Sequence, residues 1–252
     1  MTVTFLGTGT SQGVPVIACG CEVCTSDDAR DKRLRSSIMV QGDKTVVIDS
    51  GPDFRYQMLR EKVQHLDAIV FTHEHKDHVA GLDDVRAFNY KQNSAIDVYA
   101  EERVQKALKN EFHYIFAEFK YPGIPQISIN TITGEPFNIG EITFNPIEVM
   151  HYRLPVKGFR INDFTYITDA KTITEAEIEK IKGSKILVIN ALQKQTHISH
   201  FTLEEAITFA REIGAEQTYL THISHRLGKH EDISKELPAG VELAYDGLKL
   251  EI

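Results

Sequence analysis

The chain is short of cysteine, of excess positive charge and of long apolar runs, and each shortage removes a class of protein. Its three cysteines, in 252 residues, all fall within Cys19 to Cys24. An odd number packed so closely makes a poor disulfide framework. Lys and Arg total 28 against 36 Asp and Glu, a formal net charge of -8. That balance argues against a long nucleic-acid partner, because such binders carry a basic patch that releases counterions. The densest basic run, Arg30 to Arg35, is broken by Asp31 and Leu34 and reads as a solvated loop. No apolar segment approaches the roughly 20 residues needed to span a bilayer, so no membrane partner is expected. Val3-Thr4-Phe5-Leu6 reads as a strand, without the charged start and apolar core of a signal peptide, and a cytoplasmic location follows as the expectation. No linker or low-complexity stretch divides the sequence, so one domain over 1–252 is expected. The loop Gly7 to Gly13 lacks both the lysine of a P-loop and the helix onset of a dinucleotide fingerprint. It reads as a flexible segment lining a substrate entrance.

What is present is concentrated in Thr72-His73-Glu74-His75-Lys76-Asp77-His78, directly after the apolar run Ala68-Ile69-Val70-Phe71. The run reads as a buried strand, and a His- and Asp-rich turn at its carboxyl end is where α/β layers place their chemistry. His73 and His75 are two apart, so in extended backbone both rings point the same way and suit one metal ion. Asp77 and His78 fall where the chain turns into a helix and can face a second ion, typically about 3.5 to 4 Å from the first. A solvated polar turn is the bland alternative, made improbable by four metal-ligating side chains at this spacing.

His73-x-His75-x-Asp77-His78 resembles the signature of the metallo-β-lactamase fold. The resemblance implies an α/β, four-layer αββα sandwich of two mixed β-sheets flanked by helices. It also implies further ligands at later strand ends. His151, closing Ile147-Glu148-Val149-Met150, resembles the third histidine of the first metal. Asp169, after Phe164-Thr165-Tyr166-Ile167-Thr168, resembles the bridging carboxylate, and His222, after Tyr219-Leu220-Thr221, the last histidine. His73, His75 and His151 would then hold one cation, Asp77, His78 and His222 the other, with Asp169 between. Asp49 resembles an aspartate that orients the first histidines through hydrogen bonds, although a helix amino-terminal cap is an equal reading of it. The two catalytic ions can be zinc, manganese or iron.

Cys19-Gly20-Cys21-Glu22-Val23-Cys24 suits thiolate ligation of a structural zinc, which commonly takes three cysteines and one histidine. His225 is the fourth ligand by resemblance to the PhnP branch of the family; His230 and His65 are the alternatives. Two metal ions neutralise charge on a phosphodiester, and a general acid protonates the leaving alkoxide. With Asp77 on the metal, His200 is the candidate acid and His197 its rival. The expected function is hydrolysis of small, including cyclic, phosphodiesters, by a homodimer as the resemblance implies. A ribonuclease Z-like tRNA endonuclease, a thioester or ester hydrolase and a nonenzymatic metal-binding protein are the alternatives.

Helices are expected over Phe54 to Lys62, Val104 to Phe112, Glu175 to Ile181 and Leu203 to Ile213. Strands are expected over Ser37 to Val40, Thr45 to Asp49, Ile127 to Ile132, Ile142 to Val149, Phe159 to Ile161, Tyr166 to Thr168 and Lys185 to Asn190. The aromatic segment 112–121 is expected as core, as a wall over the metals or as a dimer contact.

Overall fold

Alternation of apolar side chains sends each strand's residues to two different cores, and this builds the layers. In β3 (Thr45–Ile48) and β4 (Ala68–Val70), Val46, Ile48, Ala68 and Val70 enter one apolar cluster while Val47 and Ile69 enter another. A side-chain period of two puts neighbours on opposite faces. The computed structural model describes residues 1–119 and 121–252.

The first sheet joins β3 and β4 to β1 (Thr2–Gly7), β2 (Ser37–Gln41), β5 (Ile96–Ala100), β6 (Ile127–Thr131) and β15 (Lys249–Glu251), in the order β15-β1-β2-β3-β4-β5-β6. The second contains β7 (Phe137–Ile139), β8 (Ile142–His151), β9 (Leu154–Ile161), β10 (Phe164–Tyr166), β11 (Thr172–Ile173), β12 (Ile186–Asn190), β13 (Gln217–Thr221) and β14 (Val241–Leu243). Its order is β11-β8-β9-β10-β12-β13-β14, with β7 paired to β8. Both sheets are mixed: β3 to β6 run parallel, as do β10, β12, β13 and β14, and the remaining pairings are antiparallel.

Phe5, Ile38 and Val40 of the first sheet meet Phe144, Phe159, Phe164 and Tyr166 of the second in one buried layer. Burying a large apolar side chain contributes about 1.5–3 kcal/mol, and Phe144 also meets Phe159 edge to face at 6.0 Å. The outer face of the first sheet is covered by α1 (Phe54–Arg60), α3 (Arg86–Gln92) and α4 (Glu102–Glu111), through Phe54, Met58, Phe88, Val104 and Leu108. That of the second is covered by α6 (Glu175–Ile181), α7 (Leu203–Ile213) and α8 (His230–Glu236), through Ile181, Phe209, Ile213 and Ile233. The result is the four-layer αββα sandwich. Two short helices complete it, α2 (Lys76–Val79) and α5 (His113–Phe116). No helix among the described residues is long and apolar enough to cross a membrane.

The helix expectations at α6 and α7 match the observed limits. Thr202 and Glu205 form a capping box at the start of α7, and Gly214 ends it in a left-handed conformation. The others move by a few residues: the first helix stops at Arg60, and the strand expected at Tyr166 to Thr168 is Phe164–Tyr166, leaving Thr168 and Asp169 in the following loop.

Two loop expectations are overturned. Arg33 is buried, not solvated: its Nη1 donates to Thr8 Oγ1 at 2.8 Å and to the Ala244 carbonyl at 2.6 Å, while Nη2 lies 3.1 Å from His230 Nδ1. Alternation of charge along Arg30 to Arg35 concealed this, because the backbone there pairs with Val14 and Gly9 and draws the guanidinium inward. The Gly7 to Thr10 stretch is likewise buried and hydrogen-bonded, with only Ser11 and Gln12 exposed at the tip of the loop. It is packed rather than flexible, and Thr10 Oγ1 brings it within 3.3 Å of His222 Nε2.

Candidate metal centre

The carboxyl ends of β4, β8, β10 and β13 open on one place, and each delivers side chains to it. Beyond β4, His73 is buried and His75 is solvent-facing, with their ring centroids 4.6 Å apart. His151, the last residue of β8, lies 6.1 Å from the first ring and 5.2 Å from the second. His75 stands at the amino end of α2, whose first turn carries Asp77 and His78. His78 Nε2 is 3.2 Å from Asp77 Oδ2 and 3.2 Å from Asp169 Oδ2, and His222 Nε2 is 3.2 Å from Asp169 Oδ1. The two oxygens of Asp169 therefore face different histidines. Donor atoms of His73, His78 and Asp169, of Asp77, His78 and His222, and of His151, Asp169 and His200 each gather within 4.8 Å.

The tight approach of α2 to the preceding loop depends on Gly51. A Cβ there would lie 2.0 Å from the Asp77 carbonyl oxygen, so no other residue lets the loop pass. Asp49 and His222 hold φ of 65° and 54°. A non-glycine residue in that left-handed region costs about 1–3 kcal/mol and persists where surrounding structure imposes it, commonly at functional sites.

Hydrogen bonds occupy one nitrogen of four rings. His78 Nδ1 pairs with Asp49 Oδ2 at 2.7 Å, His151 Nδ1 donates to the Ser199 carbonyl at 2.9 Å, His73 Nδ1 meets Thr72 Oγ1 at 2.9 Å and His222 Nδ1 meets Ser36 Oγ at 3.2 Å. This leaves the Nε2 atoms, of which that of His222 also lies 3.3 Å from the Thr10 hydroxyl. Those of His73 and His78 are buried with no hydrogen-bond partner, as is Nδ1 of His200. An unsatisfied buried nitrogen costs about 1–3 kcal/mol, and a lone pair so placed among carboxylates fits a divalent cation. Asp49 thus orients His78 directly and His73 through Thr72, rather than the first two histidines as expected. It caps no helix; α1 begins after Asp53.

The rings differ in charge: His73 and His222 are held neutral, whereas His78 keeps a proton that a divalent cation would have to displace. Burial, assisted by neighbouring His78, holds His73 well below its ordinary value, and burial lowers His222. For His78 burial also opposes charge, but Asp77, Asp49 and Asp169 together outweigh it and raise the ring well above 6.5. Burial pushes Asp169 upward, and the pull of His222 and His78 exceeds it, leaving the carboxyl well below the usual range.

His200 is buried against His151 and His222, with centroids at 4.4 and 4.8 Å, and its Nδ1 is 3.6 Å from Asp169 Oδ1. Burial and the adjacent His222 bring it down to about 2. His197 is farther out: its ring is 5.3 Å from that of His200, and its Nδ1 meets the hydroxyl of Ser199 at 3.3 Å.

The cysteines form a second cluster. Sγ of Cys19, Cys21 and Cys24 lie 3.3, 3.4 and 3.6 Å from His225 Nδ1, and all four donors are mutually within 4.8 Å. The alternatives are elsewhere: His65 is exposed beside Asp67, and His230 faces Arg33. The aromatic segment divides. Phe112 and Ile115 join the core, whereas Phe119 and Tyr121 are exposed; Lys120 between them lies outside the described residues. Sequence reasoning missed Ser36, Thr10, Thr72 and the Ser199 carbonyl, which no motif marks because serine, threonine and backbone groups are everywhere.

The chain belongs to the β-lactamase superfamily: residues 44–223 match the model of the "Beta-lactamase superfamily domain". It is similar to the crystal structure of a new diphosphatase from the PhnP family, at 43% identity and a TM-score of 0.93, covering 100% of this chain and 97% of that one. A Porphyromonas gingivalis protein named octanoyltransferase is 40% identical over 253 residues; the match covers 99% of this chain but 51% of that one, so the chain spans about half the length of that relative. The Zn(2+)-bound PqqB of Methylobacterium extorquens shares the fold, with a TM-score of 0.81 at 19% identity over the whole of both chains.

Proposed function

We propose that the chain is a binuclear metal-dependent hydrolase of small phosphoric diesters, cyclic ones included. The observation that carries this reading is the split of the Asp169 carboxylate, one oxygen toward His78 and the other toward His222, with unpartnered buried Nε2 atoms around it. Two divalent cations held there would activate water at neutral pH and neutralise charge on a phosphoryl group. His73, His75 and His151 would hold one, Asp77, His78 and His222 the other, and Asp169 would serve both; zinc, manganese and iron all suit nitrogen and carboxylate donors. Cys19, Cys21, Cys24 and His225 would hold a structural zinc.

The protein's remaining task is to manage a proton at the leaving group. His200 stands beside the shared carboxylate, and burial disfavours its charged form. An anionic substrate beside the ring offsets that penalty and favours the imidazolium that donates to the departing oxygen. The net charge of -8 supports a small substrate over a long polyanion, and the buried layer that both sheets share supports a single catalytic domain over 1–252.

Phosphoric anhydrides are the second reading, favoured by the 43% identity to the PhnP-family diphosphatase. The test is elemental analysis of the purified protein together with turnover of bis(p-nitrophenyl) phosphate, a 2′,3′-cyclic nucleotide, a dinucleoside diphosphate and a thioester. Diester cleavage with about three metals per chain supports the proposal. Turnover of the diphosphate alone selects the second reading, and turnover of the thioester alone overturns both.

A further inference from the structure

We propose that Ser36 is the positioning residue that selects the tautomer of His222, and that it does so because its own proton is already committed. This rests on the metal-site reading above. The Gly9 carbonyl receives two hydrogen bonds from one residue, the Ser36 backbone N–H and the Ser36 hydroxyl, both at 3.0 Å. A carbonyl oxygen only accepts, so the hydroxyl must donate to it. What the Ser36 oxygen has left is a lone pair, and the group facing it is His222 Nδ1 at 3.2 Å. That nitrogen therefore carries the ring proton and donates, which leaves Nε2 with its lone pair among Asp169, Asp77 and the Thr10 hydroxyl, the last a donor at 3.3 Å that the same tautomer satisfies.

Everything in this chain of donors is buried. Ser36 is 1% and His222 1% exposed, so water does not compete to supply the missing bond. The alternative tautomer would place a proton on Nε2, 3.2 Å from Asp169 Oδ1. An Nε2–H···carboxylate bond is attractive in a metal-free site, and it would block the ring as a ligand. The serine thus works against a competing state that the carboxylate itself favours.

The same arrangement assigns a purpose to the buried glycine loop. Gly9 sits between β2's lead-in and the His222 loop, bridged to Arg35 on one side and Ile223 on the other. A Cβ at Gly9 would come 2.8 Å from the Arg33 carbonyl and 3.0 Å from that of Leu34. Only glycine brings this carbonyl close enough to hold the serine proton, while Thr10 N bonds the Ile223 carbonyl at 3.1 Å and secures the far side. His222, held at φ 54°, is therefore fixed through both its backbone and its ring by the amino-terminal segment.

The decisive measurement uses the wild-type, metal-free protein, ¹⁵N-labelled at histidine, with the His222 signals assigned by their loss in His222→Gln. Long-range ¹H–¹⁵N spectra at neutral pH should show a neutral ring protonated at Nδ1. A ring protonated at Nε2 overturns the proposal without reference to any variant. In Ser36→Ala the ring should move toward the Nε2–H form, and the weaker of the two catalytic zinc equivalents should lose about 10- to 100-fold in affinity by chelator competition, the range for losing an orienting partner. Ser36→Thr, which retains the hydroxyl, should restore the Nδ1–H form. Equal tautomer and affinity in Ser36→Ala would also overturn it. If the wild type binds no zinc outside the cysteine cluster, the proposed function fails, and the tautomer measurement still decides the role of Ser36.

Discussion

His78 Nδ1 and Asp49 Oδ2 lie 2.7 Å apart with both side chains fully buried. The carboxylate also accepts from the Thr72 backbone N–H and hydroxyl, each at 2.8 Å, so the two residues lock the strand end of β4 to the first turn of α2. The pair aims His78 Nε2 at Asp77 and Asp169 and fixes which nitrogen remains for a cation.

Asp49→Asn keeps the shape but replaces one acceptor oxygen with a donor. Metal affinity should fall about 10- to 100-fold, as for other partners that orient a ligand. The metal-free protein should lose about 3–5 kcal/mol, because removing one member leaves a buried charge uncompensated. Chelator competition and urea unfolding measure the two effects; unchanged affinity would show that His78 needs no such support.

Stability of the metal-free protein should depend on pH at both ends. His78 is raised well above 6.5, so its contribution is complete below about that pH and is lost as pH rises through the folded value. Asp77 and Asp169 are depressed below 3.8: burial opposes their ionisation, but neighbouring histidines outweigh it. Their contribution is present above that pH and disappears as pH falls through their folded values. Because burial holds His73, His200 and His222 below 6.5, the unfolded chain takes up protons at those rings first, so the melting temperature with a chelator present should be highest near pH 6.5 and fall on both sides of it. A melting temperature that climbs steadily to pH 9 would contradict the assignment for His78.

Asp169→Ala should remove bound catalytic metal and activity together, since one carboxylate serves both donor sets. The cysteine-bound equivalent should remain. Full metal content at full activity would rule out the shared role.

Cys21→Ser should lose one metal equivalent and lower the unfolding temperature before it changes the chemistry, because structural zinc contributes folding free energy. Elemental analysis and calorimetry on the same sample separate the effects. Equal zinc in the variant would refute the structural site.

His200→Ala should reduce kcat by roughly 10²- to 10⁴-fold with metal retained, the range for loss of general acid catalysis. The deficit should shrink with p-nitrophenolate, a leaving group that needs no proton. A uniform loss across leaving groups would instead make His200 a packing residue.

The features legible along the chain were those with a local cause. His73, His75, Asp77 and His78 are adjacent in sequence, and their strand-to-helix setting follows from apolar patterning on both sides. The cysteine cluster is local too, and α7 was readable to its ends because Thr202, Glu205 and Gly214 mark them chemically. Arg33 shows the opposite case. Nothing near it distinguishes a solvated arginine from a buried one, since its partners Thr8, His230 and Ala244 are up to some two hundred positions away.

By itself the sequence marked the His- and Asp-rich turn at 73–78 and the cysteine cluster as local metal-binding patterns, whereas the αββα sandwich and the ligands His151, Asp169 and His222 were expected only from the resemblance. Tertiary structure alone decided what each ring faces. Asp49 turned out to serve His78, His225 to complete the cysteines rather than His65 or His230, and Ser36 to meet His222. A hydrogen bond depends on a few tenths of an ångström and on direction, and no one-dimensional pattern records where a loop from residue 9, a strand from 37 and a turn at 222 converge.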